Sequence, residues 1–259
     1  CGAEQIEAEE APLEYILLDI DQPIAGQFSG QFFLALKQRI QEEHRGDNYL
    51  AFSERVYESG FRDTIAEQEQ VLQEAINQLD AQGRADYRKI NRAAKLQLED
   101  LLDAFIIQFC PDLTQVQLPV TILKHHSKQA SKSELKVLIM DYLDLNQENE
   151  KSYTNRESIP VEGLKNAGTT YLFPNRDEVF YLLVDTSIAG NGKTGFAMTD
   201  QALYWKVPFQ KARKVTYQQI ESVVLEKNWL LINQHFFNVN VSLNLKMLKL
   251  LKKIREWGY

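Results

Sequence analysis

The chain has 259 residues, of which 44% are hydrophobic and 25% are charged. This composition is that of an ordinary globular protein, and it argues against a disordered chain, a collagen-like repeat or a small disulfide-framework protein. The length predicts two modest domains or one large one. Even the apolar stretch at residues 28–40 is interrupted by polar side chains, so the sequence predicts no membrane-spanning helix.

Charge is divided unevenly along the chain. The net charge is −7, but residues 200–259 carry ten lysines and arginines against four acids, a local excess of +6. The first 199 residues therefore carry −13. This pattern argues against a general nucleic-acid-binding protein, and it leaves anionic lipid or an acidic protein as a contact for the basic end. The two oppositely charged parts are also expected to attract each other.

The amino terminus and the two cysteines bear on the compartment. Cys1 and Cys110 stand in no CxxC or Cys/His pattern, so the sequence predicts neither a disulfide framework nor a metal site. Cys1 resembles the first residue of a mature bacterial lipoprotein, in which this cysteine is acylated. The leading expectation is a cytoplasmic protein in which Cys1 marks an arbitrary boundary, and the envelope lipoprotein is the alternative. Residues 1–12 hold four glutamates and are expected to form a flexible acidic tether.

Residues 13–146 are expected to form a mainly helical domain. Apolar side chains recur there at three- and four-residue steps, which predicts helices over residues 28–43, 49–57, 61–79, 84–109 and from Ser133 onward. The short turn at residues 81–83 predicts that the third and fourth helices pack antiparallel. Asp47 is the expected N-cap of the second helix. Residues 116–124 form a short β-like run that Pro119 weakens.

The composition changes at residues 147–165, where polar residues dominate and a linker is predicted. After it the hydrophobic period switches to two, which predicts short strands at residues 179–184, 195–199, 203–207, 214–217, 222–227, 229–233 and 236–239. An amphipathic helix is expected over residues 242–257. The predicted fold class is α+β: a helical domain is followed, at residues 166–259, by a small barrel or sandwich capped by this last helix.

A run of turns and strands in the last third of the chain has a distinctive order. Its members are Asp185-Thr186-Ser187, Gly190-Asn191-Gly192-Lys193, Gly195-Phe196-Ala197-Met198-Thr199-Asp200, Leu203-Tyr204-Trp205-Lys206 and Leu230-Leu231-Ile232-Asn233. This order resembles that of the bacterial pleckstrin-homology-like (PH-like) domains. The resemblance implies a strongly curved β-barrel or two-sheet sandwich closed by a carboxy-terminal helix. It also implies a binding or assembly module with no active-site residues and no cofactor.

Five basic residues of this region are candidate contacts for an anion or a partner. Lipid-binding relatives of the PH-like domains use clustered basic residues in the first hairpin loop to hold inositol phosphates, whereas the hairpin here offers Lys193 alone. Phosphoinositide recognition is therefore not expected. The other four candidates, Lys206, Lys211, Arg213 and Lys214, lie beyond the hairpin. They are expected to form either a shallow contact face or a solvated strand edge guarded by lysines.

No template for phosphate binding or nucleophilic catalysis fits the sequence. Residues 190–194 look like the end of a phosphate-binding loop, but Ser187 stands where the pattern needs its first glycine. A strand is also predicted after the loop, where phosphate binding needs the start of a helix. Cys110 precedes a proline at a helix end and has no base nearby in sequence, so it is expected to be a half-buried core residue.

Two further pairs were weighed as catalytic or metal-binding groups. His125 and His126 are adjacent, and adjacent side chains diverge, so the pair is not expected to hold a metal. Asp19 and Asp21 alternate along a strand-like run and are able to share a cation, but the residues that follow depart from the phosphotransfer pattern. A capping or loop role is the expected one for these aspartates.

The leading functional hypothesis is a non-enzymatic protein that binds another protein or serves as a scaffold, without nucleic acid, metal or cofactor. The alternative is membrane association, either through acylation of Cys1 in the cell envelope or through the basic segment 246–255 lying on anionic lipid. A third hypothesis is an enzyme with an unfamiliar helical active site. Its candidate residues are the two aspartates and two histidines named above.

Overall fold

The structure is a computed structural model that describes residues 18–19, 22, 24–44, 48–82, 86–126 and 134–258. Its elements are, in order, α1 (Gln27–Arg39), a π-helical turn (Ile40–His44), α2 (Tyr49–Glu58), α3 (Phe61–Ala81), α4 (Tyr87–Phe109), a 3₁₀ helix (Val120–His125), α5 (Leu135–Leu143), β1 (Lys151–Tyr153), α6 (Val161–Thr170), β2 (Phe180–Asp185), β3 (Gly195–Thr199), β4 (Ala202–Lys206), β5 (Arg213–Thr216), β6 (Val223–Glu226), β7 (Trp229–Ile232), β8 (His235–Phe237) and α7 (Val241–Trp257). None of the helices in these ranges has the length and apolarity needed to cross a bilayer.

Helices α1 to α4 pack around an aromatic cluster. The ring centroids of Phe32, Phe61 and Phe105 lie 5.1, 5.9 and 6.0 Å apart, and all three side chains are buried. Phe61, at the start of α3, thus meets Phe105 near the end of α4, and Gln97 of α4 donates a hydrogen bond to Gln68 of α3. The two helices therefore run antiparallel, and the prediction from the short turn is confirmed.

The strands form two antiparallel sheets, in the orders β1-β2-β3-β4-β5 and β6-β7-β8. In the larger sheet Gly195 of β3 lies opposite both Asp185 of β2 and Lys206 of β4. The β2–β3 and β4–β5 loops therefore leave the same end of this sheet. Within the described residues the two sheets do not close into one barrel. The coarser α+β arrangement, helices followed by antiparallel strands and a last helix, is confirmed.

Both faces of the five-stranded sheet are buried. Helix α6 covers one face, where Ala167 meets Ala197 and Tyr204. The opposite face packs against the three-stranded sheet and α7. A hydrogen bond of 2.9 Å from Nε1 of Trp205 to the carbonyl oxygen of Phe236 joins the two sheets. This layering leaves the loops at the ends of the larger sheet as its accessible parts.

Two segments differ from their prediction. Residues 116–124 were expected to be β-like, but they contain the 3₁₀ helix, because Ile122 is buried in the core and no strand is paired with this run in the described ranges. The predicted linker at 147–165 contains β1 and the start of α6. Strand β1 forms because β2 supplies a pairing partner that is distant in sequence. Asp47, the expected N-cap, lies outside the described residues.

The buried side chains are continuous across the predicted domain boundary at residue 146. The cluster that fills the space between the sheets also takes in α5 and Ile107 of α4. Helix α5 packs directly against α7. The carboxy-terminal helix therefore lies between the strands and the helical part of the chain.

Candidate functional site

Four of the five predicted basic contacts lie at one end of the five-stranded sheet. Lys193 belongs to the β2–β3 loop, Lys206 ends β4, Lys211 lies in the β4–β5 loop and Arg213 begins β5. The side chains of all four are at least partly exposed. In the part of the chain that the structure describes, no carboxylate lies within salt-bridge distance of any of them. All four cations thus lie at the same end of the sheet, and no carboxylate of the described residues pairs with them there.

Two apolar side chains project from the same end of the sheet. Ile188 in the β2–β3 loop and Phe209 in the β4–β5 loop are 108% and 106% exposed, as fully as in an extended chain. Phe209 also has a φ of 62°, a backbone conformation that bulky residues rarely adopt. We call the surface formed by these two side chains and the four cations the basic loop end.

The β2–β3 loop is held by hydrogen bonds within the protein. The Asp185 carboxylate accepts from the amide of Ser187 at 2.8 Å and from the amide of Gly192 at 3.0 Å. Asn166 of α6 donates to the carbonyl oxygen of Asn191 at 2.8 Å. The loop is followed by strand β3, as predicted. Because the amides of Ser187 and Gly192 already donate hydrogen bonds to Asp185, they are not available to bind a phosphate group.

Lys214, the fifth predicted contact, has an internal role. Its Nζ lies 2.9 Å from the Glu178 carboxylate and 4.8 Å from the centroid of the Tyr204 ring. Burial opposes the charge of Lys214, but the hydrogen bonds to Glu178 and Tyr204 raise its pKa above the ordinary value. The Glu178 carboxylate also accepts hydrogen bonds from Tyr204 and Thr199, each at 2.8 Å. Lys214 therefore neutralises the Glu178 carboxylate, while 35% of its own side chain stays exposed.

Three residues near this end of the sheet were not predicted. Lys151 begins β1, and its Nζ lies close to Gly190 of the β2–β3 loop. Its segment looked like a linker, so the sequence carried no signal that would place it here. Ile188 and Phe209 were missed because an apolar residue between two predicted strands is more simply assigned to the core.

Helix α7 buries three lysines that the sequence placed on a basic face. The pairs are Lys246 with Glu148 at 2.6 Å, Lys249 with Asp103 at 2.6 Å and Lys253 with Asp100 at 3.0 Å. The lysines are 3%, 5% and 8% exposed. All three carboxylates belong to the acidic first part of the chain, so the expected attraction between the two parts has a direct structural form. Because these three lysines are buried, lipid contact through segment 246–255 would have to use Lys252 and Arg255.

Two of the described candidates for catalysis, His125 and Asp19, have partners of their own within the protein. His125 is buried, with its Nε2 2.8 Å from the Asp141 carboxylate, and burial lowers the pKa of its neighbour His126. Asp19 exchanges main-chain hydrogen bonds with the side chain of Gln27 at the start of α1. The described ranges contain no group of three or more side chains suited to a metal ion.

The remaining candidates are Cys110, Cys1 and Asp21. Cys110 is fully buried, and burial raises the pKa of its thiol to about 12, so it is protonated at neutral pH. It is more deeply buried than the sequence indicated. Cys1 and Asp21 lie outside the described residues. The hypothesis of acylation at Cys1 stays a prediction.

Comparison of the chain with models of protein families, with curated proteins and with solved structures found no match. The functional argument therefore rests on the chemistry of the basic loop end.

Proposed function

We propose that this chain is a non-enzymatic binding module that docks on the surface of an anionic membrane through its basic loop end. The observation that carries the proposal is the placement of two fully exposed apolar tips, Ile188 and Phe209, beside four cations that have no acidic partner in the described ranges. Two of the candidate catalytic residues, His125 and Asp19, are already engaged by partners within the protein, which supports the non-enzymatic part. The resemblance to PH-like domains, which are mostly binding modules, agrees with it.

The apolar tips and the four cations supply comparable shares of the expected binding free energy. Full burial of an isoleucine or phenylalanine side chain is worth about 1.5–3 kcal/mol. Each lysine or arginine near an anionic leaflet adds about 1 kcal/mol, an effect that salt screens. Two tips and four cations therefore yield roughly 7–10 kcal/mol before about 4 kcal/mol or more is lost with translational and rotational freedom. The expected binding is weak, reversible and sensitive to salt.

The shape of the basic loop end favours a bilayer over a folded protein. The tips stand on separate loops, so a protein partner would need two matching pockets, whereas the headgroup region of a bilayer accommodates protruding side chains. The Asp185 carboxylate already accepts the hydrogen bonds of amides in the β2–β3 loop. Membrane binding is therefore expected to depend on the density of negative charge and not on one particular headgroup. The protein-binding hypothesis predicts an acidic protein partner at this same surface.

Co-sedimentation with lipid vesicles tests the proposal. The full chain is mixed with vesicles of phosphatidylcholine alone, or of phosphatidylcholine with phosphatidylglycerol, at low and high salt. We expect binding only to the anionic vesicles and only at low salt. The pair of changes Ile188→Ser and Phe209→Asn removes the apolar tips, and asparagine tolerates the positive φ. This variant and Lys193→Gln with Lys211→Gln should each weaken binding by at least about tenfold.

Matched variants elsewhere on the surface control for general effects. Leu50→Ser removes an apolar side chain that is 68% exposed on α2, and Arg88→Gln with Lys89→Gln removes two exposed charges on α4. Both should bind vesicles as the unchanged protein does. Equal binding to neutral vesicles would contradict the electrostatic part of the proposal. Failure to bind vesicles, together with binding of polyglutamate that the loop variants abolish, would favour an acidic protein partner instead.

A further inference from the structure

A cavity lies between the helical part of the chain and the end of α7. Its volume is about 410 Å³, and its walls come from α1, the turn after it, α4 and α7. Small-molecule sites typically measure about 300–1,000 Å³ and often lie at junctions of this kind. None of the lining residues belongs to the five-stranded sheet, so the cavity is separate from the basic loop end.

The floor of the cavity is mainly apolar. Ala35 of α1 and Leu96 and Leu98 of α4 contribute aliphatic surface. Arg39 also borders the cavity, but it is only 5% exposed and its guanidinium already pairs with carboxylates of α4, including Glu99. The floor therefore offers hydrophobic contact and no unpaired charge.

The mouth of the cavity carries three exposed cations. Arg92 and Lys95 are one turn apart on α4, and Arg255 is on α7. Nη1 of Arg255 donates to the carbonyl oxygen of Glu221 at 2.8 Å, which holds the guanidinium in place and leaves its other N–H groups available. Among the residues described, no carboxylate is within salt-bridge distance of any of the three.

The acids in the cavity wall are already engaged. Glu42 accepts a hydrogen bond from Gln38 at 2.7 Å, and Glu99 pairs with the buried arginine of α1. Glu256 lies 3.8 Å from Lys253, and burial raises the pKa of its carboxyl. The protein as a whole carries −7, yet the cavity wall holds only these three engaged carboxylates against five cations. The mutual repulsion of the three cations at the mouth is relieved when an anion lies between them.

We infer that this cavity binds a small organic anion, with its apolar body on the aliphatic floor and its carboxylate or phosphate at Arg92, Lys95 and Arg255. Arginine suits either group because its fork of N–H donors matches their oxygen atoms in pairs. The lysine adds a third donor from the same side. No covalent step is involved, and the ligand is bound reversibly.

Isothermal titration calorimetry with the full chain tests this inference. The probes are 1-naphthyl phosphate, 1-naphthylacetate and the neutral 1-naphthol, which share an aromatic body and differ in the anionic group. We expect saturable binding of at least one anionic probe at concentrations up to millimolar, and at least about tenfold weaker binding of the neutral one. The stronger of the two anions then distinguishes a phosphate site from a carboxylate site.

Three variants locate the binding. Arg92→Gln with Lys95→Gln removes the mouth cations of α4 and should weaken anion binding by at least about tenfold. Ala35→Leu fills the floor and should weaken binding of all probes. Arg88→Gln with Lys89→Gln makes the same charge change on α4 outside the cavity and should leave the affinity unchanged. Circular dichroism checks that each variant is folded.

Three results would overturn the inference. The first is the absence of saturable binding of either anionic probe. The second is equal affinity for the neutral probe. The third is unchanged anion affinity in the variant that lacks the mouth cations of α4. Because this assay contains no lipid, its outcome is independent of the membrane proposal.

Discussion

Lys249 joins the carboxy-terminal helix to the helical part of the chain, and its replacement by methionine tests how much this link stabilises the protein. The side chain is 5% exposed, and its Nζ lies 2.6 Å from Asp103 of α4 and 3.6 Å from Glu43. Methionine has a similar length and keeps the apolar contacts of the lysine stem. The change therefore removes the charge with little loss of packing.

The expected cost follows from the charge balance of the cluster. Its core is three cations and three carboxylates: Arg39, Lys249, Lys252, Glu43, Glu99 and Asp103. A fourth carboxylate, that of the half-exposed Glu42, lies at the edge of the cluster, 3.9 Å from Lys252. The buried negative charge of Glu43 is stabilised chiefly by the nearby cations, because both of its carboxylate oxygens lack a hydrogen-bond donor in the described ranges. Removal of one partner from a buried ion pair costs about 3–5 kcal/mol. We expect the free energy of unfolding to fall by that amount in Lys249→Met.

Urea unfolding at pH 7, followed by circular dichroism and by tryptophan fluorescence, measures the change. Coincident transitions from the two probes are needed for a single free energy of unfolding. Lys252→Met is the matched control, because this lysine is 31% exposed and lies 3.5 Å from the same glutamate. Because Lys252 remains partly solvated, its removal should cost less than that of Lys249 and approach the value of about 0–1 kcal/mol for an exposed pair. The combination of Lys249→Met with Asp103→Asn removes one charge of each sign and should recover part of the loss.

The reasoning would be refuted if Lys249→Met cost no more than Lys252→Met. Such a result would mean that the desolvation of the six groups already cancels their attraction, which buried ion pairs sometimes show. A double variant less stable than Lys249→Met alone would also contradict the charge-balance argument.

Two further predictions concern acid and backbone strain. Burial opposes the ionisation of Asp103 and Glu43, but the surrounding cations lower the pKa of both carboxyls below the value of about 4 in the unfolded chain. The two carboxylates therefore contribute fully to the free energy of unfolding above that pH, and this contribution is lost as the pH falls below it. Stability measured between pH 7 and 3 should therefore decline, less steeply in Asp103→Asn, and equal slopes would contradict this. Gly192→Ala should lower the thermal stability more than Gly60→Ala does. The φ angles of the two glycines are nearly equal, 72° and 74°, but only at Gly192 would the new Cβ clash, with the carbonyl oxygen of Gly163 at 2.6 Å. Equal losses of thermal stability would show that the β2–β3 loop moves to accommodate the new methyl group.

The strands were predictable because their signals are local. Alternation of apolar and polar side chains, bounded by turn residues, predicted a strand at residues 195–199, and β3 has these bounds. The closing helix was expected over residues 242–257, and α7 spans Val241–Trp257. Four of the candidate contacts at the sheet end were also identifiable, because charged residues beside turns are visible in the sequence.

The features that were missed depend on partners far away along the chain. Strand β1 exists because it pairs with β2, and nothing in its polar sequence shows that pairing. The exposure of Ile188 and Phe209 depends on how far their loops stand from the core, which a local pattern does not carry. The same holds for the three buried lysines of α7, which look like a solvated face in the sequence. The acid nearest to each of them stands 98 to 153 residues earlier in the chain.

The pairing within α7 determines where positive charge remains accessible. Lys246, Lys249 and Lys253 pair with acids of the first 148 residues, and Lys214 pairs with Glu178. In the described part of the last 60 residues, the cations without a carboxylate nearby include three at the sheet end and Arg255 at the cavity mouth. The +6 excess seen in the sequence is therefore not spread over a basic face. Apart from Lys227, which lies against the Trp229 ring, the accessible cations of this described part that have no carboxylate nearby lie at the basic loop end or at the cavity mouth. Each of these places also offers apolar surface, and this coincidence connects the membrane and small-anion proposals to one property of the fold.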